Sequence, residues 1–90
     1  MIKQKNKRVV VTGLGLVTPL GIGVQPTWES LCAGKSGVGE ITRFDCSDYA
    51  TKIAAEIKDF KAQDFMSKKD ARRVELFIAY ALAATRMAIE

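Results

Sequence analysis

The C-terminal end of this chain reads as a helix without a polar side, and no other feature constrains the fold as strongly. From Val74 onward, Phe77, Ile78, Ala81, Leu82, Thr85, Ala88 and Ile89 recur at helical spacing and make one apolar face. The opposite side carries Leu76, Ala79, Tyr80, Ala83, Ala84 and Met87, so that only Glu75, Arg86 and Glu90 are charged. Such a helix loses free energy on every face it shows to water, and it is expected to lie buried inside a larger body. The sequence stops at Glu90 without the glycine, asparagine or proline that commonly ends a helix. The 90 residues therefore read as a piece of a longer fold.

At the other end, Val9-Val10-Val11-Thr12 runs into Gly13-Leu14-Gly15-Leu16-Val17-Thr18-Pro19-Leu20-Gly21. The β-branched run predicts a central strand buried on both faces, and the glycines predict a loop from Gly13 to Gly23. A strand that breaks into a glycine turn is also how dinucleotide-binding domains begin. Their fingerprint needs glycine at the first, third and sixth places, because the chain must turn tightly, approach the pyrophosphate and pack helix on strand. Gly13 and Gly15 satisfy the first two, but Thr18 stands at the sixth. The short-chain dehydrogenase variant fails as well, with Val17 and Pro19 where glycines are needed. Pro19 also pushes Thr18 out of the α region, so no helix N-terminus opens at the turn to hold an anion.

The basic flank Lys3, Lys5, Lys7 and Arg8 ahead of an apolar stretch has the outline of a signal peptide. Four glycines and Pro19 interrupt that stretch, and no small-x-small cleavage site precedes Trp28. Nothing approaches the roughly 20 apolar residues of a membrane span, so a soluble cytoplasmic protein without membrane partners is expected. The net charge of +4 suggests nucleic acid only until it is mapped. Residues 1–8 hold four basic side chains and no acid, while the remainder balances. The excess is thus a basic N-terminal tail, residues 1–7, expected to be disordered or frayed, and no aromatic stripe accompanies it for stacking bases. Cys32 and Cys46 stand in a context without secretion, which argues against a disulfide. With no histidine and no close cysteine pair in the chain a metal site is disfavoured, and neither a Ser-His-Asp triad nor a Cys-His pair can be assembled from it.

Between the two ends a helix is predicted from Val24 to Ala33, with Pro26 in its first turn, Trp28, Leu31 and Cys32 as its apolar stripe, and Gly34 as its stop. On that stripe Cys32 reads as a small core residue. Lys35-Ser36-Gly37-Val38-Gly39 is turn chemistry, and the alternation of Ile53, Ala55 and Ile57 predicts a half-exposed strand. Ser67 with Asp70 resembles a capping box and predicts a short helix from Lys68 to Arg73 ahead of the long one from Val74. The fold class implied is α/β.

Taken in order, Arg8 to Gly21 (RVVVTGLGLVTPLG), Trp28 to Gly39 (WESLCAGKSGVG), Ile41 to Tyr49 (ITRFDCSDY) and Phe65 to Ala81 (FMSKKDARRVELFIAYA) resemble the N-terminus of the β-ketoacyl-[acyl carrier protein] synthases of type II. The resemblance covers residues 8–90 with natural spacing, far more than a single motif. Type I synthases usually carry serines in place of Thr18-Pro19, and modular polyketide ketosynthases open with a different turn. The relatives to separate are the ketosynthases of aromatic polyketide assembly and their non-catalytic chain-length-factor partners.

The resemblance implies the N-terminal part of a thiolase-like αβαβα fold, incomplete within these residues, with Val9 to Thr12 as its first strand, and a homodimeric enzyme. It implies a decarboxylating Claisen condensation between an acyl-enzyme and malonyl-carrier protein, with no cofactor. The chemistry uses a cysteine thiolate at a helix N-terminus, backbone amides for the oxyanion and two histidines. In similar sequences these lie further along, beyond the position of Glu90, so none of residues 1–90 is assigned a catalytic role. Cys46 occupies a variable place, and a reactive thiolate there would need a cation such as Arg43 beside it.

One functional surface is carried over. Lys69, Arg72 and Arg73 fall at i, i+3 and i+4 and share a helix face, with Lys68 beside them. From the residues alone this is a solvated turn partly neutralised by Asp70. The resemblance implies instead a basic patch that receives the acidic recognition helix of acyl carrier protein. One departure accompanies it: similar sequences commonly have methionine-aspartate after the basic run, whereas this chain has Val74-Glu75. Glutamate suits the helix dipole but caps less well than aspartate.

Overall fold

The computed structural model describes residues 6–90. Most of the predicted basic tail, residues 1–5, lies outside the described residues. The remainder contains three helices and two small antiparallel sheets, joined by extended loops.

The glycine segment folds into a tight hairpin where the sequence predicted only a loop. Strands β1 (Val17–Thr18) and β2 (Gly21–Ile22) pair Val17 with Ile22 and Thr18 with Gly21 across Pro19-Leu20. Thr18 explains the tightness, because its hydroxyl oxygen accepts from the amides of Leu20 (3.1 Å) and Gly21 (3.2 Å) and closes the turn from within. The same hydroxyl lies 3.0 Å from that of the buried Thr27, which in turn donates to the Gly23 carbonyl at 2.7 Å. Ser30 Oγ, donating to the Leu20 carbonyl at 3.1 Å, adds a second tie between the hairpin and the following helix.

That helix, α1, spans Val24–Cys32, one residue short of its predicted end. Its stop is the predicted Gly34, whose φ of 72° is the left-handed conformation that glycine adopts without steric cost. The amides of Gly34 and Lys35 bond to the carbonyls of Leu31 (3.1 Å) and Ser30 (3.0 Å), the paired closure that satisfies a helix C-terminus. The apolar stripe, however, is open. Trp28, Leu31 and Cys32 are all exposed, so Cys32 is not the core residue its position predicted, because no described element covers that face.

Strand β4 (Ile53–Ala55) falls within the predicted alternation, but its partner β3 (Val38–Glu40) begins in a segment read as a turn. The pairs are Val38 with Ala55, Gly39 with Ala54 and Glu40 with Ile53. Short β-branched runs gain strand character mainly from a partner, and periodicity along one segment does not reveal it.

The long helix α3 runs Leu76–Ile89, beginning two residues later than predicted because Val74 and Glu75 are both extended. Of its two apolar sides the chain covers the small one. Ala79 (2% exposed) and Ala83 (fully buried) are its buried residues, whereas Phe77 (67%) and Ile89 (80%) stand open with Ile78 and Leu82. The cover comes from two directions. Phe60 packs edge-on to Tyr80 (4.8 Å between centroids) and stacks with Phe65 (5.8 Å). On the other side runs the N-terminal segment.

Val9 to Thr12 does not form the predicted central strand, and Val9 is 93% exposed. A buried parallel strand needs neighbours along both edges, and no described segment pairs with it. The glycines that follow are nonetheless fixed against α3. A Cβ at Gly13 would overlap the Ala88 carbonyl, and one at Gly15 the Ala84 carbonyl. Two residues of extended chain advance about 6.6 Å and four residues of helix about 6 Å, so the two glycines meet successive turns while the segment runs antiparallel to α3. Gly-Leu-Gly is thus a packing device that brings backbone against backbone.

Candidate functional site

The helix that carries the predicted basic cluster, α2, spans Lys68–Arg73 as expected from the sequence. It begins at Ser67, whose Oγ accepts the Asp70 amide at 3.1 Å, and it ends at Val74, whose extended backbone (φ −104°, ψ 146°) cannot continue a helix. Asp70 lies in the first turn and Arg72 and Arg73 in the last, an arrangement that suits the helix dipole.

Lys68, Lys69, Arg72 and Arg73 are all exposed. Among the described residues the one ion pair is Arg86 with Glu90, 2.9 Å apart, so none of the four is paired and Asp70 does not neutralise them by contact. Held within two turns, with only Asp70 among them, the four cations repel one another and create a local positive potential. Arg73 also borders a groove of about 720 Å³ between α2 and α3, whose walls include Met66, Val74, Leu82 and Ile89.

The loop leading to α2 is held to α3 by a residue whose role the sequence did not disclose. Arg43 Nη2 donates to the Ile57 carbonyl at 2.7 Å and to Tyr80 Oη at 3.0 Å, and the Tyr80 contact strengthens the guanidinium's hold on its proton. Committed there, Arg43 makes no hydrogen bond to Cys46. Glu56 ties the same loop from the other side. Its carboxylate accepts from Thr42 Oγ1 (2.8 Å), the Thr42 amide (3.2 Å) and the Arg43 amide (3.3 Å), which holds its pKa below the usual glutamate range, the Thr42 hydroxyl foremost. Asp45 is lowered in the same direction by the Ser47 amide that closes its turn at 3.0 Å. Lys52 Nζ then donates to the carbonyls of Tyr49 (2.8 Å), Ser47 (3.0 Å) and Cys46 (3.3 Å) and fixes the intervening loop. These ties are scaffold. They lie 13 or more residues apart for Glu56 and 37 for Arg43 with Tyr80, which is why neither motif nor spacing could reveal them.

Among the described residues no group of three His, Cys, Asp or Glu side chains is placed to hold a metal, and no helix is long and apolar enough to cross a membrane. α1 opens at Gly23, after the hairpin, and so does not begin at Gly13–Gly15.

The fold is similar to part of a known structure, the ishigamide ketosynthase/chain length factor. The two superpose with a TM-score of 0.71 at 35% sequence identity, covering 89% of this chain and 20% of the other. Residues 6–90 match the family model for the β-ketoacyl synthase N-terminal domain, and the chain belongs to that family. It is 46% identical to 3-oxoacyl-[acyl-carrier-protein] synthase 2 of Synechocystis over 99% of its length, and 45% and 43% identical to the proteins of that name in Vibrio cholerae and Staphylococcus aureus over 97%. In each case it spans 21% of the relative, about a fifth of its length.

Proposed function

We propose that these residues are the N-terminal segment of a 3-oxoacyl-[acyl-carrier-protein] synthase of type 2, and that Lys69, Arg72, Arg73 and Lys68 form its docking face for acyl carrier protein. In the complete enzyme a cysteine thiolate takes the acyl group from its carrier. Loss of carbon dioxide from the malonyl thioester leaves a carbanion, which attacks the acyl-enzyme carbonyl, forms the carbon-carbon bond and expels the cysteine thiolate. The cysteine and the two histidines belong outside this segment, which contains no histidine. Here the segment supplies scaffold and partner recognition, within a cytoplasmic homodimer of thiolase-like αβαβα architecture.

The observation that carries the reading is the row of unpaired, exposed cations on α2, set in a chain 43–46% identical to proteins of that one name. The polyketide alternative rests on the 35% likeness to a ketosynthase/chain length factor, a more distant one. The test uses a full-length synthase carrying this segment. Alanine at both Arg72 and Arg73 is expected to raise KM for acyl carrier protein about tenfold or more, with kcat nearly unchanged and most of the loss masked at high salt. An unchanged KM together with salt-independent kinetics would refute the docking role.

A further inference from the structure

A second, smaller cleft lies on the other flank of α2. It has a volume of about 420 Å³ and is bounded by Lys61, Ala62, Gln63, Asp64, Ala71 and Arg72. Lys61 directly precedes the 3₁₀ turn Ala62–Asp64, and its carbonyl accepts the Asp64 amide at 3.1 Å. The turn packs on α2 and so brings a lysine from outside the Lys68–Arg73 run to the edge of the same cleft as Arg72. Lys61 and Arg72 are both exposed, and neither forms an ion pair among the described residues, although Asp64 shares the cleft with them. Ala62 and Ala71 are too short to fill it. The result is an open depression with two cations, one carboxylate and a net positive charge, continuous through Arg72 with the proposed docking face.

We propose that Lys61 and Arg72 together bind one carboxylate side chain of the acidic carrier protein, so that the docking face extends beyond α2 to Lys61. This rests on the docking reading above. The guanidinium presents a planar fork suited to both oxygens of a carboxylate, and the lysine adds a point charge on a flexible stem. Asp64 opposes the approach, which gives its removal the opposite sign from the removal of Lys61.

The experiment measures carrier-protein affinity by titration calorimetry, at low and high salt, for a full-length chimera. In it, residues 6–90 replace the matching segment of the Synechocystis relative. Lys61→Ala is expected to weaken binding about threefold at low salt, the scale of an exposed ion pair, while Lys61→Arg retains it. Asp64→Asn is expected to tighten binding about twofold. Adding Lys61→Ala to Arg72→Ala should cost less than it does alone, because both cations serve one carboxylate. Wild-type affinity in Lys61→Ala, full additivity with Arg72→Ala, or weaker binding in Asp64→Asn overturns the proposal. If the Arg72 and Arg73 substitutions themselves leave affinity intact, the docking reading has failed; if they weaken binding and Lys61→Ala does not, only the extension to Lys61 has. Unchanged circular dichroism and thermal midpoints for these exposed positions separate lost contacts from lost folding.

Discussion

Gly13 and Gly15 show how a single missing Cβ decides an interface. Each lies where a side chain would enter the carbonyl of Ala88 or Ala84, so the segment can approach α3 only as bare backbone. Alanine at either position must push the segment away from the helix or distort it, at a cost of about 1–3 kcal/mol. The urea midpoint of a full-length synthase carrying Gly15→Ala should fall accordingly, while alanine at Gly39, which meets nothing within 4 Å, should change it little. Glu56 gives the second prediction at this scale. Its folded pKa lies below its unfolded value, so its contribution to stability is present above the unfolded value and is lost as pH falls through the lower, folded one. Thr42→Val removes the largest cause of the shift. The Glu56 carboxyl followed by NMR should then titrate closer to the ordinary range, and acid unfolding should begin at higher pH.

At the scale of elements, the helices were largely legible in the sequence and the strands largely not. Ser67 and Gly34 carry their own instructions, one accepting an amide of the first turn and the other supplying a left-handed stop, and both act within a few residues. Strands depend on partners. Val9 to Thr12 has strong β propensity and no ladder, whereas Val38-Gly39, within the Lys35 to Gly39 stretch read as a turn, joins strand Val38–Glu40 because Ile53–Ala55 lies beside it. The junction of α2 and α3 falls between these cases. Glu75 takes the N-cap place of α3 without a side-chain capping bond, as its extra methylene predicts. Glu75→Asp should therefore stabilise the helix start by about 0.5–1 kcal/mol, and Ser67→Ala should destabilise α2 by about 1 kcal/mol. Thermal midpoints of the two variants, shifting in opposite directions, check both.

For the molecule as a whole, size and surface disagree with self-sufficiency. A compact chain of this length has a radius of gyration of about 12 Å, against 17.6 Å here, and a compact protein of this mass exposes about 5,200 Å², against 7684 Å². Large apolar side chains stand open along the chain, at Val9 to Val11, on α1 at Trp28 and Leu31, and on α3 at Phe77 and Ile89. The chain spans about a fifth of its relatives' length, and exposed apolar surface of this extent marks faces that pack against other protein. The 90-residue polypeptide by itself is expected to bind the dye ANS strongly and to unfold without a sharp transition, as loosely packed states do. A cooperative transition with no dye binding would show that it closes on itself.

The sequence by itself determined what acts over short range: the ends of α1 and α2, the grouping of Lys69, Arg72 and Arg73 on one helix face, the exclusion of a dinucleotide turn, and family membership through motifs in order. It also showed that α3 is apolar on both sides. Only the tertiary structure decided which side is used, because that depends on the shape of the partner. Backbone at Gly13 and Gly15 can reach the helix at small residues such as Ala84 and Ala88, while the larger side of α3 is left open. The same holds for Arg43 with Tyr80 and for Lys61 with Arg72. Their positions follow from loop paths and packing, which periodicity along one segment does not encode.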